Sequence, residues 1–280
     1  MEVTNITKKR IIEYLEQGKR FDKRGLLEHR DLKINLGISN MAEGSAQVFL
    51  GKTEVMAGVK LDTMAPYKDS EEAGVLMVTA ELSPMASERF EHGPPRIQAI
   101  ELARIIDRGI RESEIINLSK LCIKKGEKVW SVMVDIYAIN DDGNLIDAAA
   151  IAAVAAIMSA VMPKIDKDDK VQYGDFTKEK LPTTNAMPTT VTFYKIGSQW
   201  VIDPDAEEEE SSELRISFAV SFPSDKKSKS KEIDKDNAMI NAMQKGGGYA
   251  AVAIDEVKDL IDLAVEKAAS LQEKIKKQID

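Results

Sequence analysis

Three arginines, Arg104, Arg108 and Arg111, recur at i, i+4 and i+7 in the stretch that follows Pro94 and Pro95. On a helix this spacing puts them on one face, opposite the apolar Leu102, Ala103, Ile106 and Ile110. Guanidinium groups are always charged and carry several rigid donors, so such a face could grip the phosphates of a nucleic acid. The same arginines could instead form surface salt bridges, with Glu101 and Asp107 as partners.

Other chemistry is thinly signalled. His29 and His92 are the only histidines, and neither has a Cys or His neighbour at ligand spacing, so no metal centre is expected. No complete phosphate loop occurs: Gly51-Lys52-Thr53 has Ala46 in place of the loop's first glycine, and Gly246-Gly247-Gly248 is not followed by Lys and reads as a flexible entry to a helix. The carboxylate run Glu207 to Glu210 could hold a divalent cation, but such runs are more often solvated turns. The lone Cys122 cannot form an internal disulfide, which points to a reducing, cytoplasmic setting. No cofactor is implied.

The elements that must position these residues follow from periodicity. With 43% hydrophobic and 31% charged residues in 280, the chain can bury a sizeable core beneath a charged surface. The net charge of −8 excludes a general basic coat, so any nucleic-acid contact must be a local patch. A first helix carries Ile6, Ile11, Ile12 and Leu15, capped by Thr4 or Asn5 and ended by Gly18. Strands are expected at Leu32 to Leu36, Ser45 to Leu50, Thr53 to Leu61 and Gly74 to Glu81, with Gly51-Lys52 as a hairpin turn. A helix from Pro95 to about Glu114 and a strand from Trp130 to Ile139 come next. An Ala-rich buried helix over Ile146 to Met162, closed by Pro163, is too short to span a membrane. Lys164 to Pro188 is polar, with Gly and Pro, and is the candidate linker. Further strands are expected at Thr189 to Ile196, Gln199 to Ile202, Glu213 to Phe222 and Ala238 to Met243, then a helix with Ile254, Val257, Ile261, Ala264, Ala268 and Leu271 on one face. Lys226 to Lys231 reads as a solvated insert. The fold class is α+β, divided as 1–165, a linker at 166–188, and 189–280, and the similar order of the halves suggests an internal duplication.

Short motifs spread along the chain then add a resemblance. Arg20-x-Asp22-x-Arg24 with Glu28 and Arg30, Ala42-Glu43-Gly44-Ser45, Gly51-Lys52-Thr53, Gly93-Pro94-Pro95 and Ala99 to Arg104 form one series. Asp107-Arg108, Trp130 to Asp135, and Asp203-Pro204-x-Ala206 before the carboxylate run continue it. The ensemble resembles the RNase PH family over nearly the whole chain, although family members usually have Gly where this chain has Lys23. The Gly-Pro-Pro and Asp-Pro-x-x-Glu-Glu-Glu pieces look like its non-catalytic branch in the archaeal exosome.

The resemblance implies an RNase PH-type fold of two related subdomains and a phosphorolytic 3′ exonuclease chemistry, in which phosphate attacks the terminal phosphodiester of RNA. It also implies two absences. Where active members hold phosphate with a Gly-(Ser/Thr)-Arg turn, this chain reads Asp142-Gly143-Asn144, with Asp147 expected to repel an anion. Where they carry an Asp after the acidic run, the register falls on Arg215, which cannot donate a proton at neutral pH. The expected role is therefore a non-catalytic ring subunit, with no catalytic residue and no metal. It would join a catalytic sister in a hexamer of three heterodimers, with RNA and RNA-binding cap proteins as further partners and no membrane. By resemblance Arg104 and Arg108 contact RNA, and Arg111 and Arg96 extend the patch. The rivals are an active phosphorolytic exoribonuclease and an RNA-binding scaffold with no catalytic partner.

Overall fold

The computed structural model describes residues 3–166, 170–223, 233–248 and 250–279; the solvated insert expected at Lys226 to Lys231 lies outside them. Helix α1 (Asn5–Glu16) is capped by Thr4, whose hydroxyl accepts from Thr7 N. Ile11 and Leu15 are buried against Tyr194, Ile196 and Val201, but Ile6 is 74% exposed, because that cluster ends before the first turn.

The first sheet is built from β1 (Leu32–Leu36), β2 (Gly44–Leu50), β3 (Thr53–Met64) and β4 (Val75–Leu82). After α2 (Ile97–Glu112), β5 (Cys122–Lys124) and β6 (Lys128–Asn140) join it. Its order is β1-β2-β3-β6-β4, with β5 beside β6. Strand β4 runs parallel to β6, since α2 lies in the connection between them; the other pairs are antiparallel. Along β3 buried and half-buried residues alternate, so one face meets the core.

That core is centred on α3 (Leu145–Ser159), whose residues from Ile146 to Ile157 are all buried. It packs on β2, β3 and β6 of the first sheet and on β9 (Thr189–Ile196) of the second. A helix apolar all round must be covered on every side, and two sheets do this. Alanine also permits close approach: a Cβ on Gly44 of β2 would lie 2.3 Å from Ala156 O.

Two expectations change here. The helix ends at Ser159, and Pro163 sits in β7 (Val161–Ile165), which pairs with β8 (Val171–Lys180). The expected linker at 166–188 thus carries a strand. Apart from Val171 and Thr177, β8 is exposed throughout, so its sequence shows no two-residue burial period to read. The second sheet, with β10 (Gln199–Ile202), β11 (Leu214–Ser221) and β12 (Met239–Gly246), has the order β10-β9-β11-β12 and is wholly antiparallel. Helix α4 (Ala206–Ser211) packs on α1, and α5 (Ile254–Ile279) covers β9 and β11 and reaches β1.

Candidate nucleic-acid interface

The arginines of the opening motif are consumed inside the molecule. Arg20 is buried: it grips the Glu208 carboxylate through Nε and Nη2 and donates to the carbonyls of Ile202 (3.0 Å) and Asp203 (2.9 Å). Arg30 holds Asp203 through Nη2 (2.7 Å) and Nε (3.1 Å), and donates to the carbonyls of Asp142 (2.8 Å) and Gly143 (3.0 Å). Arg24 donates to the carbonyls of Glu28 and Asp203. Burial alone would raise the Asp203 pKa, but Arg30 holds it below the usual carboxylate value. Lys23, which stands where the family usually has Gly, adopts φ +68°, the left-handed conformation that glycine takes most readily. The motif is a clamp between the first loop and the 202–208 segment of the second half.

Beside the clamp lies the turn into α3. Gly143 has φ +86°, and a Cβ there would meet Pro204 O at 2.6 Å. Asn144, at φ +56°, directs its N–H to Glu209 Oε2 at 2.9 Å, and Gly143 N donates to Asp141 Oδ1 at 3.1 Å. Donors that a bound anion could use at a helix start are taken by carboxylates of the same chain. Asp147 does not face this cleft, contrary to expectation. It is fully buried and accepts from Thr192 N (3.1 Å), Thr192 Oγ1 (2.8 Å) and Asn144 Nδ2 (3.0 Å). Burial pushes its pKa up to about 7 against these donors.

Arg215 does reach the cleft. It lines a cavity of about 140 Å³ with Arg89, Glu101, Asp141 and Glu209. Its Nη2 pairs with Glu101 Oε2 at 2.8 Å, while Arg89 pairs with Asp141 (2.6 Å) and Glu210 (3.2 Å). The carboxylate run does not converge on one point: Glu208 faces Arg20, Glu209 faces Asn144 N, and Glu210 faces Arg89. The histidines are also separate. His29 Nε2 is buried without a partner, and burial lowers its pKa to about 4; His92 is exposed in the loop before α2.

On and just before α2 the four candidate arginines part company. Arg104 and Arg108 both line a groove of about 370 Å³ between α2 and strands β11 and β12. Arg104 has no hydrogen-bond or ion-pair partner among the described residues, and Arg108 has only Glu112, at 2.8 Å, with both side chains about half exposed. Arg111 bends away to Asp107 (2.6 Å) and Leu76 O (3.1 Å). Arg96 pairs with Glu91 in a separate cavity bounded by the 83–95 loop. Glu101, expected as a salt-bridge partner on α2, instead serves Arg215 and Gln244.

Comparison with known proteins agrees with this architecture. The models of the RNase PH 3′ exoribonuclease family match residues 28–163 for domain 1 and 186–267 for domain 2. The chain belongs to the RNase PH family. Its family relatives include the exosome complex component Rrp42 of Methanosarcina acetivorans, 40% identical over 96% of this chain and 93% of that protein. The exosome complex component Rrp42 of Thermococcus onnurineus is 42% identical over 98% of this chain and 96% of its own length. A chain of the solved Archaeoglobus fulgidus exosome with RNA bound to the active site superposes with TM-score 0.83 at 40% identity, covering 96% of this chain and 98% of that one.

Within this RNase PH fold, sequence reading missed Arg89, Asn241 and Gln244. Arg89 lies outside any periodic segment. The two amides enter the groove through strand β12, whose register with β11 no local pattern reveals.

Proposed function

We propose that this chain is a non-catalytic subunit of an archaeal-type exosome ring. In this reading it pairs with a catalytic RNase PH-like sister as a trimer of heterodimers, supports that sister's 3′-to-5′ phosphorolysis by shaping its active site, and holds the RNA backbone. The observation that carries the reading is the start of α3, where Glu209 accepts from Asn144 N at 2.9 Å. An attacking phosphate needs free N–H donors and a cation there. Here a carboxylate occupies the donor, and Arg215 and Arg89 are neutralised by Glu101, Asp141 and Glu210.

Assembly is supported by apolar edges. The outer strand β12 exposes Met239, Ile240 and Met243, and α2 exposes Ile97 and Ile100. Arg104 and Arg108 supply the phosphate contacts, in a groove that a single strand can enter. RNA-binding cap proteins complete such a ring, and the lone Cys122 suits a cytoplasmic setting.

The test is direct. The isolated chain, given RNA and inorganic phosphate, should release no nucleoside diphosphates. Mixed with its sister, it should sediment as a hexamer with phosphate-dependent activity. Nucleoside diphosphate release by the chain alone would make it an enzyme, and a stable monomer that ignores the sister would remove the ring.

A further inference from the structure

The groove that holds Arg104 and Arg108 has a second wall of different chemistry. Ser217 and Ala219 of β11 and the residues Asn241, Ala242, Met243 and Gln244 of β12 form it, and none of them is charged. The β11–β12 register slips here: Ala219 faces Ala242 but Val220 faces Ile240, which leaves Asn241 as the extra residue of a β-bulge. Bulges re-aim side chains, and Asn241 joins Ala242 and Gln244 in lining the groove.

Both amides are half satisfied. Asn241 Nδ2 makes a long 3.3 Å bond to Glu112 O, while its Oδ1 is shut from solvent and has no donor. A buried acceptor without a donor is costly to keep, and turning this amide into the groove gives up only the long bond. Gln244 Nε2 donates to Glu101 Oε1 at 2.9 Å, and Glu101 is itself fixed by Arg215 at 2.8 Å. Gln244 Oε1 accepts no hydrogen bond among the described residues. One acceptor shut in without a donor, on Asn241, and one with no protein donor among the described residues, on Gln244, therefore lie on the wall that faces two guanidiniums.

A phosphodiester satisfies the arginines but has no hydrogen to offer the amides, and a deoxyribose adds none. A ribose 2′-hydroxyl does, and it sits one sugar away from each phosphate. Base N–H groups could also donate, but no aromatic ring lines the groove to stack a base. We propose that Asn241 and Gln244 accept hydrogen bonds from ribose 2′-hydroxyls of the strand whose phosphates lie on Arg104 and Arg108, so that this groove tells RNA from DNA. The proposal rests on the RNA-holding reading above.

The experiment measures binding to rings assembled on a catalytically silenced sister. The probes are one single-stranded RNA and its all-2′-deoxy and all-2′-fluoro counterparts; fluorine can accept a hydrogen bond but donates none. The paired change Asn241→Leu and Gln244→Met should weaken RNA binding by about three- to tenfold for each lost acceptor, and should move binding of both counterparts by less than about twofold. Equal losses for RNA and DNA, no loss for RNA, or a loss that depends on base sequence would each overturn the proposal. The Arg104→Glu, Arg108→Glu ring separates the two levels: it should weaken RNA and DNA alike, and if it weakens neither, the phosphate reading itself fails. Should the paired variant not assemble, Gln244→Met alone is compared with wild type against RNAs carrying single 2′-deoxy substitutions. At least one position should cost the wild type about three- to tenfold and the variant less than about twofold. A wild-type ring indifferent to every substitution, or a variant as sensitive as wild type at every position, overturns the proposal.

Discussion

Two sets of arginines in this molecule have opposite fates. Arg20, Arg24 and Arg30 are withdrawn from solvent and direct their donors to Glu208, Asp203 and backbone carbonyls. Arg104 and Arg108 stand exposed on α2, the first unpartnered among the described residues and the second held only by half-exposed Glu112. The clamp arginines belong to the most recognisable motif in the sequence, yet most of their donors are engaged within the chain, and those of Arg30 all are. Spare hydrogen-bonding capacity, rather than motif strength, separates an arginine free to meet an anion from one that holds the fold together.

The sharpest way to break this contrast is Asp203→Ala. Arg30 and Arg24 would lose a buried carboxylate, and leaving buried charge unpaired typically costs about 3–5 kcal/mol. The expected result is a lower urea midpoint for the chain; an unchanged midpoint would show that the clamp arginines are no more committed than those of α2.

The next effect concerns pH and sets two fully buried aspartates against each other. Asp147 pairs with no cation among the described residues and burial pushes it up to about 7, whereas Asp203 is held down by Arg30. A folded pKa raised above the ordinary value of about 3.9 gives stability that is complete below about pH 4 and is lost as pH rises through about 7, on the order of 4 kcal/mol. For Asp203 the sign reverses: its contribution is present above the ordinary value and is lost as pH falls through the lowered one. Urea midpoints measured across pH 4 to 8 should therefore fall for wild type and stay flatter for Asp147→Asn. Parallel profiles would mean that Asp147 does not titrate in this range.

Smaller for each residue changed is the effect on RNA. Reversing Arg104 and Arg108 together should cost about 1.5–3 kcal/mol per lost contact, or roughly ten- to a hundredfold in affinity each, independent of RNA sequence. The slope of log K against log salt should become shallower by about 1.4, since two phosphate contacts on a single strand disappear. Anisotropy titrations on rings checked for assembly measure both. The smallest effects should come from Arg111→Ala and Arg96→Ala. Their ion pairs with Asp107 and Glu91 are exposed and worth less than about 1 kcal/mol, and RNA affinity should not change. A loss comparable to that of Arg104 would extend the interface around the helix.

How much of this was legible beforehand varies by element. The boundaries of β1, β9 and β10 could be read directly, because turn residues bracket runs of residues suited to strands. The buried character of α3 was visible in its alanines, which leave no polar face. Strand β8 was not legible: its residues are mostly exposed on both faces, and burial is what writes a period into a strand. The helical spacing of Arg104, Arg108 and Arg111 could be read, but spacing does not say which guanidinium finds a partner. Arg111 reaches Leu76 O on β4, a neighbour 35 residues away in the chain.

By itself the sequence determined the α+β class, the family, the apolar faces of most elements and the missing arginine beside Gly143. These depend on local periodicity and on residue types that cannot be exchanged, such as a cation for an amide. Tertiary structure alone decided that Asp147 is a core residue and not a barrier to phosphate, that Glu209 fills the start of α3, and that a bulge in β12 brings Asn241 to the groove of Arg104 and Arg108. Each of these outcomes joins residues far apart along the chain. Which donor meets which acceptor is settled when the two sheets close on α3, and no window of neighbouring residues contains that information.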